Sequence, residues 1–550
     1  MKAATQQPKI VRVLNKKTGV TYLYENHPYW DKEAKQGRSR RKCIGRLDDG
    51  GNPVYNDYYL HREASLAEGG SGMIPPITRT VLIGQNLVLD KVIGELGLKG
   101  VLAKAVGAED AELALQLVRH SVCTMGTPMY LASHWLDERG YDGAALESQR
   151  ITELLRRLGP DKRNAFFRLW IERHGDGRGV FFDVSSISSH AKAISWVERG
   201  YNRDGEKLPQ VNVGLLSSVE KNTPLWFIEL AGSINDTQTL RGVLEHMDKL
   251  GGVRNTITGD RAFYSRENIT LLTERKYKFL MPVPSNIKWV RELIEKHRGR
   301  IRRPDTLITS EDGESIIYAL KTSTVGVFGR VWAHIYFDAT RKERSIATLM
   351  GRLNECRAEL LAGKPTARNK SYYERYFDVR RTPKRGLRVT LREEAVDEYI
   401  NNQSGFWILY TNAEKDPAEA LRLYRRRNDV ELLFDDLKNA SDSRRLRVHS
   451  DAVMQGRLFI SFLALVVLTR LKDMVKAIPA KERNHWNWKE ILIKVNTYSR
   501  TRYKGRYKDV YSCPTKAQRK IFDLLGVKYH YKDKVVNEDE TVDVDEDEAT

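Results

Sequence analysis

A change of hydrophobic period near residue 179 limits what this chain can fold into more than any other feature. Before it, apolar residues recur at helical spacing, as in LIGQNLVLDKVIGELGL and DAELALQLVRHSVCTM. After it come three compact apolar runs of strand length, GVFFDVSSIS, VNVGLLSSV and PLWFIELAG. A helical segment, DTQTLRGVLEHMDKLG, then alternates with the short run NTITGD, a second helical segment, RENITLLTERK, and the run YKFLMPV. Three strands in succession that give way to β-α-β alternation predict an α/β core.

Residues 286–401 interrupt that core with runs such as ESIIYALKTST and RVWAHIYFDA and a helix IATLMGRLNECRAELLAG, and they read as a mainly β insertion. The core resumes over 402–475 with GFWILYTN and a densely charged helix. The first part of the core then spans 177–285. Before it lie a strand-rich segment at 1–75 and a helical region at 76–176, a candidate DNA-binding domain without a sharp helix-turn-helix pattern. After it lie a basic C-terminal region at 476–536 and an acidic tail at 537–550, expected to be disordered. The most apolar run, LFISFLALVVL, is too short to span a bilayer and suits a buried core helix.

The formal net charge is +20, and without the eight acidic residues of the tail it is +28. A body that basic calls for a polyanion, nucleic acid first and a membrane surface second. The four cysteines are far apart with no CxxC pair, which argues against a zinc finger and for a reduced compartment. The N-terminal residues lack the apolar core of a signal peptide. A cytoplasmic protein that works on the bacterial nucleoid, with no membrane partner, is the expectation. Two basic stretches invite attention. KEAKQGRSRRK (residues 32–42) reads as a loop, either solvated or gripping phosphates. RTRYKGRYK (residues 500–508) alternates strictly, so as a strand it has one basic face, for DNA or for a solvated edge.

The charged helix YRRRNDVELLFDDLK occupies residues 424–438. Treated as one continuous helix, it places Tyr424, Arg427, Glu431 and Lys438 in an arc of roughly 60°. That arc borders the apolar face of Leu423, Val430, Leu433, Phe434 and Leu437. Such a stripe presents one acid, two cations and a phenol to a common ligand. The ordinary alternative is an i,i+4 pair of Arg427 with Glu431. Asp183 and Asp260 each end an apolar run, and functional side chains gather at the carboxyl ends of strands in α/β sheets. Either could merely cap the next turn. Asp338 and Asp378 also follow apolar runs, but inside the insertion. Three carboxylates at one point are costly without a cation. Hard oxygen ligands suit Mg²⁺ or Mn²⁺, and two such ions about 3.5–4 Å apart can drive phosphodiester cleavage. Arg427 and Lys438 would then hold phosphates. Ser185 and Ser186 lack a general base and read as local turn-bonding residues.

The pattern Tyr424-x2-Arg427-x3-Glu431-x6-Lys438 resembles the YREK signature of insertion-sequence transposases of the IS-four family. Asp260, Arg261 and Phe263 after a strand, and Thr411 with Asn412 before the helix, resemble that family too, over about residues 180–475. The resemblance implies a ribonuclease-H-like catalytic domain with a DDE triad of Asp183, Asp260 and Glu431 as metal ligands, interrupted by a strand-rich insertion. The spacing of 171 residues from Asp260 to Glu431 leaves room for it. It implies metal-dependent nicking of transposon ends and strand transfer, with Tyr424, Arg427, Lys438 and Arg261 on DNA phosphates. The expected partners are terminal inverted repeats and target DNA, within a homodimer. Trp407 could stack on a flipped base, as a tryptophan does in some relatives, or belong to a core strand; whether a hairpin intermediate forms is left open. The rival readings are a non-catalytic DNA-binding descendant of a transposase and a basic structural or membrane-surface protein.

Overall fold

Alternation in TYLYEN and KCIGRL produces antiparallel pairing at the N-terminus. The computed structural model describes residues 9–16, 18–31, 36–48, 50–60, 76–175, 177–202, 205–234, 236–249, 256–309, 316–326, 329–382, 386–440, 448–505, 507–531 and 534–537. It separates into two units, Met1–Thr80 with Arg500–Val510, and Val81–Ser499 with Tyr511–Thr550.

In the first unit β1 (Lys9–Leu14), β2 (Thr21–Asp31), β3 (Gln36–Leu47) and β4 (Pro53–Tyr55) form an antiparallel sheet in that order. Leu23 and Ile44 are its buried centre. β1 covers β2 only as far as Asn26, and β4 meets β3 only over Gly45, Arg46 and Leu47. Beyond those limits, among the described residues, β2 and β3 continue as a two-stranded ribbon. The stretch expected to be a basic loop is therefore strand over residues 36–42, while 32–35 lie outside the described residues. Pairing sets Tyr29 opposite Arg38 and His27 opposite Arg40, so one face of the ribbon gathers both arginines, and the Arg40 guanidinium lies 5.0 Å from the Tyr29 ring centre.

A further strand, β5 (Ile77–Leu82), leads toward the second unit. There β6 (Gly179–Ser188), β7 (Gln210–Ser218), β8 (Pro224–Ala231), β9 (Thr256–Gly259) and β10 (Lys278–Val283) come from the runs expected to be the core. β11 (Leu307–Thr309), β12 (Ile316–Gly326) and β13 (Gly329–Asp338) come from the expected insertion, as do the separate pair β14 (Phe377–Thr382) and β15 (Gly386–Leu391). β16 (Phe406–Thr411) is the run GFWILYTN. Nine of these strands make one sheet, in the order β11-β12-β13-β16-β10-β9-β6-β7-β8. β9 is parallel to both β6 and β10, and the other neighbours are antiparallel.

Two expectations change here. β11–β13 extend the core sheet across β16 instead of forming a β module of their own, and residues 339–376 and 393–402 of the insertion are mostly helical. Edge strands with unpaired backbone groups are stabilised by adding to an existing sheet. Residues 84–174 do not close a core of their own either. Their helices share one apolar core with β6–β8 and the helix Asp451–Ala477. That helix is long and apolar enough to cross a membrane, but it is buried along most of its length inside the protein. Gly456 lets it close on the helix Ser148–Arg157, since a Cβ there would stand 2.2 Å from the Leu155 carbonyl oxygen. Covered on both faces, β6 and β7 read as near-continuous apolar runs.

The alternating stretch 500–508 is strand only as far as Tyr503, in β17 (Ser499–Tyr503), the middle strand between β5 and β18 (Val510–Tyr511). Arg500 and Arg502 turn to Asp509, at 3.5 and 3.3 Å. A middle strand with paired arginines is neither a solvated edge nor one open basic face. The acidic residues 538–550 lie outside the described residues.

Candidate active site

Register brings the first two carboxylates together. Parallel β6 and β9 end their pairing with Phe182 opposite Gly259. Asp183 and Asp260 are the next residues, so they leave adjacent strands side by side, about 4.8 Å apart. Asp183 does not end its own strand: β6 continues to Ser188 against β7. What ends there is its other neighbour, β9. Both aspartates also serve their local backbone. Asp183 Oδ1 accepts the Val184 N–H at 2.8 Å, and Asp260 Oδ1 accepts the Arg261 N–H at 2.6 Å at the start of the short turn Arg261–Phe263. At Asp260 the turn-capping role and the convergent one therefore coexist, whereas Asp183 bonds the next N–H within a continuing strand.

The charged helix is two helices. Pro417–Arg425 ends and Asn428–Ala440 begins, with Arg426 and Arg427 in the turn between. Across the break the N–H groups of Arg427, Asp429 and Val430 bond the carbonyls three residues back, at 3.0, 3.0 and 2.9 Å. The 60° arc of one continuous helix is therefore not what aligns these residues. The turn lets adjacent arginines reach different partners. Arg426 donates to the Glu220 carbonyl at 2.7 Å and pairs with its carboxylate at 3.5 Å. Arg427 goes to the carboxylates. Its Nη2 lies 2.7 Å from Glu431 Oε1, and its Nη1 lies 3.8 Å from Asp183 Oδ2 and 3.7 Å from Asp260 Oδ1.

One guanidinium thus touches all three predicted carboxylates, carried by a strand interior, a strand end and a helix. It is only 12% exposed, whereas Glu431 is 58% exposed. Burial opposes its charge, but Asp260, then Tyr424, Asp183 and Glu431, outweigh that and hold Arg427 above its ordinary value. Among the described residues no three of His, Cys, Asp and Glu form a tight metal-ligand set; the oxygens surround a guanidinium. Their chemistry nonetheless suits a hard divalent cation, being all carboxylate. Two of them stand within 4 Å of a single Nη atom, so small side-chain rotations separate the two arrangements.

Tyr424 stands beside this centre, with the Arg427 guanidinium 5.8 Å from its ring centre. Burial, and to a lesser extent Asp260, pushes its phenol up. Lys438 is not gathered with them. It lies two turns beyond Glu431, about 10.5 Å along the axis, and is buried. On the other side of Asp260 opens a cavity of about 570 Å³ lined by Arg261, Tyr264, Arg341, Trp407 and Tyr424 among others. Trp407 is half-buried in it, stacked on Tyr336 at 5.2 Å and 14°, with the Arg341 guanidinium 4.7 Å from its ring centre.

Other marked residues hold the frame. Thr411 donates to the Phe279 carbonyl at 2.6 Å and Asn412 accepts the Phe279 N–H at 2.8 Å, so this dipeptide pins β16 to β10. Ser186 is fully buried and bonded to Asn212 at 3.0 Å. Asp338 caps the helix Ala339–Leu361 by accepting the Arg341 N–H at 3.0 Å, and Asp378 pairs with Arg392 at 2.8 Å. The sequence reading missed Arg341 because it began this helix near Ile346, seven residues late. The signal was the Asp338 cap itself.

Carboxylates gathered around a buried cation, beside the interior strands β6 and β9 of a mixed sheet in a strongly basic chain, suit a protein that handles phosphodiesters. The family described as Transposase DDE domain matches residues 174–467, more than half of the chain, a span that includes positions 183, 260 and 431. The chain belongs to that family, whose domains generally use divalent metal ions. Among solved structures, a piggyBac transposase synaptic complex with hairpin DNA is similar over 75% of this chain and 76% of that one, at 10% identity and a TM-score of 0.35. No curated protein sequence matches.

Proposed function

We propose that this protein is an insertion-sequence transposase of the IS-four type that binds transposon ends, cuts one strand there and joins the freed 3′-hydroxyl to another phosphodiester. The observation that carries the proposal is Arg427 touching Asp183, Asp260 and Glu431 at once. The order β8-β7-β6-β9-β10, antiparallel through β6 and parallel beyond it, supports a ribonuclease-H-like core. Asp183, Asp260 and Glu431 would hold Mg²⁺ or Mn²⁺, as two ions, which when bound would supply activation of water and stabilisation of the leaving oxygen. Arg427, once released from the carboxylates, grips a phosphate with its fork. Tyr424 and Arg261, which line the same cavity as Asp260, contact the scissile strand there, and Lys438 supports the helix of Glu431 from within. Trp407, under Arg341 and beside Tyr424, offers a face on which an unpaired base stacks. The ribbon with Arg38 and Arg40 supplies backbone contacts to duplex DNA. A homodimer that pairs two ends, acting on the nucleoid in the cytoplasm, completes the reading.

Asp183→Ala, Asp260→Ala and Glu431→Ala should each abolish Mg²⁺-dependent cleavage of a duplex carrying the element's terminal repeats and leave binding nearly intact. Cleavage that survives any one of them sinks the triad. A wild-type protein that binds ends but never cuts would be the non-catalytic descendant instead.

A further inference from the structure

A second cavity, also of about 570 Å³, lies between the helices Ala339–Leu361, Lys370–Tyr376 and Glu393–Asn402. Its lining includes four arginines and no acidic residue. Arg341, Arg344 and Arg352 fall within an arc of about 80° on one helix and extend about 16 Å along it. Arg375 faces them from the neighbouring helix. Among the described residues Arg341 and Arg344 have no ion-pair partner. Arg352 pairs with Glu355 at 2.8 Å. Arg375 Nη2 is buried without a hydrogen-bond partner, and its nearest acid, Glu398, stands at 3.7 Å. Tyr372 and Tyr399 line the same cavity, and burial pushes the Tyr399 phenol up, so it stays an O–H donor.

Two guanidiniums without an ion-pair partner, Arg341 and Arg344, in line with Arg352 and facing the unbonded Nη2 of Arg375, match an anion with several oxygens. Their spacing along a helix suits a linear array of such anions better than one free phosphate. Arg341 also lines the cavity beside Asp260, Trp407 and Tyr424, so the two cavities share a wall. We infer that this arginine cleft holds successive phosphates of the DNA strand that leaves the pocket beside Asp260. The inference rests on the transposase reading above and assigns the strand a path.

The test uses the full-length protein in EDTA, with a fluorescent oligothymidylate and a short mixed-sequence duplex as probes. Arg344→Ala with Arg352→Ala is compared with Lys104→Ala with Arg168→Ala, which removes equal charge from the outer surfaces of other helices. The cleft pair should lower the salt slope of oligothymidylate binding by about 1.4, two contacts at about 0.7 each for a single strand, and weaken binding roughly tenfold at low salt. Arg344→Lys with Arg352→Lys should retain most of the slope, which separates charge from misfolding. A cleft pair indistinguishable from the control pair overturns the inference while leaving the transposase reading in place. A wild-type protein that binds neither probe removes both. Tight thymidine monophosphate binding lost in the cleft pair, with the oligonucleotide slope unchanged, would mean a free-nucleotide site and also overturns it.

Discussion

Arg427 is the shared counter-ion of three carboxylates, so its loss should be felt before any substrate arrives. Arg427→Ala is expected to lower the unfolding free energy in EDTA by about 1–3 kcal/mol, the range for hydrogen bonds to charged groups. Millimolar Mg²⁺ should restore stability to the variant more than it adds to the wild type, because the cation replaces the missing charge. Melting curves with and without metal decide it, and equal metal effects on both proteins would refute it. The sequence singled out the residues of this cluster by their position after apolar runs and by the family resemblance, although the single helix it assumed is broken at Arg426 and Arg427. Their rank among other aspartates was not legible, because a capping carboxylate and a convergent one look alike locally. Asp260 does both jobs and Asp183 joins the cluster from a strand interior, whereas Asp338 caps a helix. Asp338→Ala should therefore cost about 1 kcal/mol and leave cleavage unchanged. A cleavage defect with normal stability would contradict that division.

At the scale of elements, periodicity located the strands of the core but not the break in the charged helix. The residues around 425–428 carry no proline or glycine, so nothing in local propensity stops the helix there. Partners far along the chain do, Glu220 on one side and the carboxylate cluster on the other. The basic run at 36–42 was misjudged for a related reason: among the described residues its support comes from pairing with β2. An isolated two-stranded ribbon is marginal in water, and this one is basic and exposed. Arg38→Ala with Arg40→Ala should reduce the salt slope of duplex binding by about 1.8, at about 0.9 per phosphate contact, without shifting the melting temperature. An unchanged slope would return the ribbon to an ordinary solvated hairpin.

At the scale of the whole molecule, the sequence showed an α/β core but could not show how far that core extends. Trp170 sits in a helix whose pattern gives no hint of a sheet, yet its indole donates to the Pro224 carbonyl at 2.9 Å. Phe166 and Phe167 pack on Phe459 in the long core helix at 5.2 and 5.9 Å. The interior also takes in histidines, His120 and His334 buried and three others half-buried. Burial, first among the causes, lowers the imidazoles of His120, His174, His246, His297 and His334. His120 is 1% exposed, packs edge-on to Trp135 at 5.6 Å, and falls to about 4, with Arg139 as the second cause. In the unfolded chain the same ring titrates near about 6.5. Between those values the unfolded state binds more protons, so stability is full above about pH 6.5 and is lost as the pH falls toward 4. His120 alone accounts for about 3 kcal/mol over that window, and the other four push the same way. Urea unfolding followed from about pH 7 to about pH 5 should show the midpoint falling, and His120→Gln should flatten that dependence even where it costs stability at neutral pH. A variant whose midpoint falls as steeply as the wild type's would mean that His120 is already charged in the folded protein.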